Sequence, residues 1–145
     1  MTRPKTTSDD SSDEEAMLTD WHVALRVVTL PRDTNAYGNI FGGVILSYID
    51  QAGFVEARRH GVHRWVTAAM DHVDFVAPVN LGDVVTFYSR TVREGRSSVT
   101  VQVRVEVERG ATGKIDLVTK AQLVMVAVDC DGNSISFKDR GPTVC

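Results

Sequence analysis

Asp50 is the only charged residue between Asp33 and Glu56. A lone carboxylate in a run of Val, Ile, Leu, Tyr and Phe suits two kinds of chemistry: taking a proton from water, or attacking an electrophilic carbon directly. Desolvation disfavours the ionised form of a carboxyl, so burial in this run would raise the pKa of Asp50 toward the range where proton exchange is useful. Upstream stand Asn39 and the adjacent pair Gly42 and Gly43. First-turn amides of a helix lack intrahelical acceptors and carry partial positive charge. Glycines there admit another group close to the backbone, which suits a developing oxyanion. Each residue also has an ordinary reading. Asp50 pairs with an Arg elsewhere or faces water, the glycines allow tight helix–sheet packing, and Asn39 caps the helix.

These groups need a helix to hold them. Within residues 39–55, apolar side chains at 44, 45, 48, 49, 52 and 55 repeat as a helix face. Asp50 then stacks one turn from Leu46 and from Gly53 and Phe54, all apolar or small, so nothing local on the helix neutralises it. The rest of the chain predicts strands. Trp21, Val23, Leu25 and Val27 alternate with His22, Ala24 and Arg26 before Pro31, a half-buried first strand. Residues 64–75 and 83–92 are the next two, the latter rich in Val, Thr, Phe and Tyr. After a hairpin at Glu94, Gly95 and Arg96, Val99, Val101, Val103, Val105 and Val107 alternate without a break, one face core and one solvated. Residues 117–128 are nearly all apolar from Leu123 onward and predict a strand covered on both faces, by the helix on one side and by another subunit on the other, and Asp131 with Gly132 marks the next turn.

One long helix after the first strand, then hairpin-linked strands, predicts an α+β layout with the sheet wrapped around the helix. This order excludes a Rossmann arrangement, and Gly42-Gly43 fits neither G-x-G-x-x-G nor G-x-x-x-x-G-K-[ST]. A length of 145 residues with 43% hydrophobic and 24% charged content fits one core. Residues 8–15 are acidic and polar and predict a disordered tail over 1–18. Without that cluster the net charge of −3 becomes near neutral or slightly basic, which implies neither a nucleic-acid nor a membrane footprint. No apolar run reaches the roughly 20 residues of a membrane span and the start does not read as a secretory signal, so the expected location is cytoplasmic. Cys130 and Cys145 form neither a framework nor a CxxC pair and are expected to be incidental; the scattered histidines, His60 and His63 the one close pair, predict no metal.

Three elements together match a family. The run from Pro31 through Asn35, Tyr37, Asn39 and Phe41 to Gly43, then Asp50 with Ala52 and Gly53, then the run from Val73 through Pro78 to Asp83, resembles the hotdog-fold acyl-CoA thioesterases of the YciA-like group, over about residues 21–128. The resemblance implies a hotdog domain at 19–138, followed by a C-terminal tail at 139–145. The activity it implies is hydrolysis of acyl-CoA to a free acid and coenzyme A, with no metal or cofactor. It assigns Asp50 and Asn39 to catalysis; the helix-start amides of Gly42 and Gly43 are then expected to hold the thioester oxygen. It places coenzyme contacts at Gly95, Arg96, Ser97 and Ser98, whose side chains and amides suit phosphate groups. It also implies a homo-oligomer of hotdog dimers, with a hexamer of three dimers in view.

The eight residues from Gly42 to Asp50 span about 12 Å of helix at 1.5 Å per residue, too far for Asn39 and Asp50 of one chain to act together. Two antiparallel helices across a twofold axis would bring Asn39 of one subunit to Asp50 of the other. Tyr37 beside this site is expected to influence acyl selectivity. A dehydratase of the same fold needs a histidine near the helix start, and residues 31–59 contain none. A non-catalytic acyl-CoA sensor would have little reason to keep a desolvated carboxylate.

Overall fold

The computed structural model describes residues 20–145, and the predicted acidic tail lies outside the described residues. Five strands form one antiparallel sheet in the order β1-β3-β4-β5-β2: β1 (His22–Val28), β2 (Arg64–Phe75), β3 (Val84–Glu94), β4 (Ser98–Glu108) and β5 (Ile115–Val128). The helix α1 (Gly42–Ala57) lies between β1 and β2 in the chain and contacts every strand. This is the wrapped-helix α+β layout that the element order predicts.

The alternating valines explain why the sheet has one greasy face. Val99, Val101, Val103, Val105 and Val107 are all buried, while Thr100, Gln102, Arg104, Glu106 and Glu108 between them stay half-buried on the outer side. Ile45, Ile49 and Ala52 of α1 press onto that inner face beside Phe87, Leu123 and Met125. Closeness between helix and sheet comes from Gly53, where an added Cβ would sit 3.0 Å from a δ carbon of Leu123.

Departures from the predicted pattern have local causes. A bulge between Val23 and Leu25 breaks the alternation of β1, so Val23 is exposed while Ala24, Leu25 and Val27 pack against the core. Of the two covers expected for β5, the chain itself supplies one: Ala121, Leu123, Met125 and Ala127 are buried on the helix side, whereas Val124 and Val126 on the outer face, where another subunit is expected, are half-buried. The cysteines are not incidental, because Cys130 and Cys145 are joined in a disulfide. Thr143 helps bring the terminus back, donating from its N–H to the Val62 carbonyl at 2.9 Å and pairing its hydroxyl with His63 Nδ1 at 2.9 Å. A single pair of distant cysteines carries no pairing signal in sequence.

β2 is an edge of the sheet, twelve residues long and paired on one side only, and Val66, Thr67, Ala68 and Ala69 along it are exposed. Such an edge offers unpaired backbone groups to another strand. Among the described residues no helix is long and apolar enough to cross a membrane.

Candidate active site

Helical spacing decides what surrounds Asp50. Gly43, Ser47, Asp50 and Phe54 follow one another at steps of four, three and four residues, so they share one stripe of α1, and all four are exposed. The burial expected for Asp50 is therefore corrected: in the chain its carboxylate is open. Its apolar sequence neighbour Ile49 points roughly 100° around the helix into the core, so a hydrophobic run does not bury every residue within it. Thr67, on the free-edge strand β2, donates its hydroxyl to Asp50 Oδ1 at 2.5 Å, and among the described residues Asp50 enters no ion pair. The stripe thus borders the unpaired edge of the sheet.

The buried carboxylate of α1 is Glu56, which is 3% exposed. Ser89 and Thr91 of β3 donate to its two oxygens at 3.1 and 3.2 Å, and His22 Nδ1 lies 3.4 Å away. Glu56 does not stand out in the sequence because Arg58 and Arg59 follow after a single alanine, and Arg59 Nε indeed lies 3.9 Å from its carboxylate.

Asn39 stands three residues ahead of α1. The helix cap is Phe41, with no side-chain bond to the first turn, so the capping role for Asn39 does not hold. The packing role of the glycine pair does not hold within the chain either. A Cβ on Gly43 would meet nothing within 4 Å, and one on Gly42 only the Phe75 ring at 3.7 Å. No acidic residue occupies the first turn, which leaves its amides without a counter-charge from the helix itself. Asn39, Gly42, Ile45, Phe75 and Pro78 line a cavity of about 390 Å³.

The loop carrying Asn39 is pinned from below. Asn39 bridges to Asn80, and the Ile40 N–H donates to the Val79 carbonyl at 2.8 Å. The loop at 78–83 is in turn organised by buried Asp83, which accepts from the Asn80 and Gly110 amides and from Arg109 at 2.8 Å. Arg109 also donates to the Pro78 carbonyl and to Asp116. Burial works to lower the pKa of Arg109, but hydrogen bonds and charge from Asp116 and Asp83 outweigh it and the net shift is upward. The Asp116 carboxyl is held below its ordinary range, chiefly by the hydrogen bond from Arg109. Asp83 belongs to the run that carries the family resemblance, whereas nothing in sequence marks Arg109 as its partner.

Asn39 and the glycine pair therefore gather at one end of α1, and Asp50 stands about 12 Å further along by helix rise. The hairpin residues Gly95, Arg96, Ser97 and Ser98 join β3 to β4 in a separate region. A Cβ on Gly95 would sit 2.8 Å from Ser98 Oγ, so a side chain there would displace that hydroxyl. Arg96 is exposed and forms no ion pair among the described residues. No group of three or more His, Cys, Asp or Glu side chains suited to a metal occurs among the described residues.

Residues 37–114 match the thioesterase superfamily model. The chain belongs to this superfamily, and its one-helix, five-strand architecture is the hotdog fold. An acyl-CoA thioester hydrolase of Haemophilus influenzae is 41% identical over 76% of this chain and 73% of its own length. The Escherichia coli acyl-CoA thioester hydrolase YciA is 38% identical over 76% and 86%. Among solved structures, the hexameric broad-specificity acyl-coenzyme A thioesterase HI0827 superposes with a TM-score of 0.75 at 39% identity, covering 81% of this chain and 82% of that one. The hexameric hotdog thioesterase Cj0915 of Campylobacter jejuni gives 0.74 at 42% identity, covering 79% and 88%.

Proposed function

We propose that this chain hydrolyses acyl-CoA to a free carboxylic acid and coenzyme A, in a site completed where two copies meet. The observation that carries this reading is the open stripe Gly43, Ser47, Asp50, Phe54 lying beside the free edge of β2. A second copy related by a twofold axis buries this face against itself, and antiparallel helices then bring the glycine end of one to the carboxylate of the other. Burial in that seam supplies the desolvation of Asp50 that one chain lacks.

Asp50 acts as general base, taking a proton from water whose oxygen adds to the thioester carbonyl; direct attack by the carboxylate is the other route open to it. Amides of Gly42 and Gly43 in the partner stabilise the tetrahedral oxyanion, and Asn39 orients the water or carbonyl. Collapse expels the coenzyme thiolate, which takes up a proton. Gly95, Arg96, Ser97 and Ser98 hold the phosphates of the coenzyme. The assembly we favour is a hexamer, built of three dimers; the relatives HI0827 and Cj0915 are hexameric. A cytoplasmic site is favoured by the substrate, whereas the Cys130–Cys145 disulfide is a bond that reducing compartments disfavour.

Mixing tests the shared site. Asp50→Asn and Asn39→Ala proteins are each nearly inactive on an acyl-CoA panel followed with a thiol reagent. After subunit exchange half the dimers are mixed and each mixed dimer keeps one intact site, so about one quarter of parental activity returns. Absence of recovery from a verified mixed assembly would overturn the cross-subunit arrangement. Absence of thiol release by the parent would overturn the hydrolase reading itself.

A further inference from the structure

The chain leaves a hydrogen-bonded network unused at the far end of α1, and this network ends at the hairpin. Its members come from four parts of the fold: Glu56 on α1, His60 in the 3-10 turn Arg58–His60, Thr91 and Glu94 on β3, and Lys138 beyond β5. Ser89 and Thr91 donate to Glu56. Thr91 Oγ1 also lies 2.7 Å from His60 Nε2, and His60 Nδ1 lies 3.0 Å from Glu94 Oε1. Phe137 packs edge-on to the His60 ring at 5.8 Å, and Lys138 Nζ lies 3.6 Å from the other oxygen of Glu94.

We propose that His60 is a positioning residue for the coenzyme: by holding Glu94 it keeps a carboxylate away from Arg96 and fixes the hairpin that receives the phosphates. This inference rests on the acyl-CoA reading above.

Two features of the backbone make a side-chain brace necessary. The β3–β4 ladder slips between Thr91 and Arg93, so the regular pairing is interrupted between the residue that touches His60 and the hairpin. Beyond the slip, the hairpin carbonyls are held from below, Ser97 by the Ala127 amide at 2.8 Å and Arg96 by the Phe137 amide at 3.4 Å, but its side chains have no such support. Electrostatics gives the brace its second role. Glu94 is half-exposed and two residues from Arg96; released, its carboxylate competes with phosphate for the guanidinium and repels the incoming anion. Proton counting shows why a histidine suits the position. With one ring proton, on Nδ1 toward Glu94, Nε2 accepts from the Thr91 hydroxyl; only a ring carrying two protons donates to both, and it then leaves the single Thr91 proton for Glu56. One ring spans both partners.

The test compares two substrates with the same acyl group, an acyl-CoA and the matching N-acetylcysteamine thioester, which lacks the nucleotide and all phosphates. For His60→Leu the KM for acyl-CoA rises on the order of tenfold, the loss of a hydrogen bond to a charged group, with kcat little changed. KM for the truncated thioester stays at the parental value. His60→Asn retains a donor toward Glu94 and recovers most of the loss, and His60→Leu combined with Glu94→Gln recovers it by removing the repelling charge. Glu94→Gln alone keeps the assay informative should His60→Leu fold poorly: it retains a low KM for acyl-CoA. Equal changes on both substrates, no change on either, or no recovery in the double variant would overturn the positioning role. A parent that cleaves the truncated thioester while the His60 variants behave like it sinks this inference alone; a parent that cleaves neither substrate sinks the hydrolase reading with it.

Discussion

Two carboxylates six residues apart on α1 face opposite situations. Glu56 is enclosed and spoken for, its oxygens taking hydroxyl protons from Ser89 and Thr91 with His22 alongside. Asp50 is open, joined to Thr67 alone, and shares its stripe with a glycine that packs against nothing. A buried carboxylate whose hydrogen-bond capacity is filled contributes to the specific packing of the end it occupies; one left uncommitted on an unfinished surface is available for chemistry once that surface is covered. On the function proposed here, burial in the isolated subunit marks the structural acid, Glu56, and incompleteness marks the reactive one, Asp50.

Exchanging the two roles by mutation is the strongest way to break this contrast. Asp50→Asn, nearly isosteric, is expected to lower kcat on acyl-CoA by about 10²–10⁴ while leaving the urea midpoint close to that of the parent. Glu56→Ala is expected to do the reverse. It strands two hydroxyl donors in a closed space and costs about 2–3 kcal/mol of stability by urea titration, with turnover per folded molecule kept within a few-fold. An Asp50→Asn protein that unfolds easily but turns over normally would invert the comparison.

The glycines sharpen it on a smaller scale. An alanine at Gly53 drives a methyl toward Leu123 in the core, and the overpacking is expected to cost about 1 kcal/mol net of the better helix propensity. An alanine at Gly43 meets open space in the chain and gains about 0.5–1 kcal/mol of helix stability. If Gly43 faces the partner's reacting carbonyl, that stabilised variant is nonetheless slow; thermal melts and thiol release on the same samples separate the two effects. Gly43→Ala with full activity and unaltered assembly would mean that the open stripe is ordinary surface.

The sequence carried the sheet further than the site. Regular alternation made the inner face of β4 readable at every valine, and β2 falls where its β-branched and aromatic run predicts, at Arg64–Phe75. The bulge in β1 escaped because one extra residue flips every following side chain without changing composition. At the site, residue identity was legible and environment was not. Asp50 stood out by its isolation along the chain, but exposure depends on which side of the helix the sheet covers. Glu56 was hidden because its partners Ser89 and Thr91 lie 33 and 35 residues away. The same distance effect concealed the Cys130–Cys145 pair and the hold of Arg109 on Asp83, contacts that no local pattern encodes.

That last clamp gives the mildest test, because it places a third kind of acid between the two extremes. Asp116 is half-exposed like a surface acid, yet it is bonded to Arg109 at 2.9 Å, and the same guanidinium reaches buried Asp83 and the loop under Asn39. Its folded pKa lies below the ordinary value of 3.8, so the folded state binds the proton less readily than the unfolded chain. The contribution to stability is accordingly complete above about pH 4 and fades as the pH falls through the lowered folded value. A series of urea midpoints from pH 5 downward should show this loss as a shallow limb in the parent. In Asp116→Asn the limb should be shallower still, with the midpoint already lower at pH 5. Solvent screening at this half-open position keeps the effect small, and added salt weakens what remains. If the variant reproduces the parental limb, Arg109 is holding Asp83 without help from Asp116, and the loop beneath the proposed active site depends on the buried acid alone.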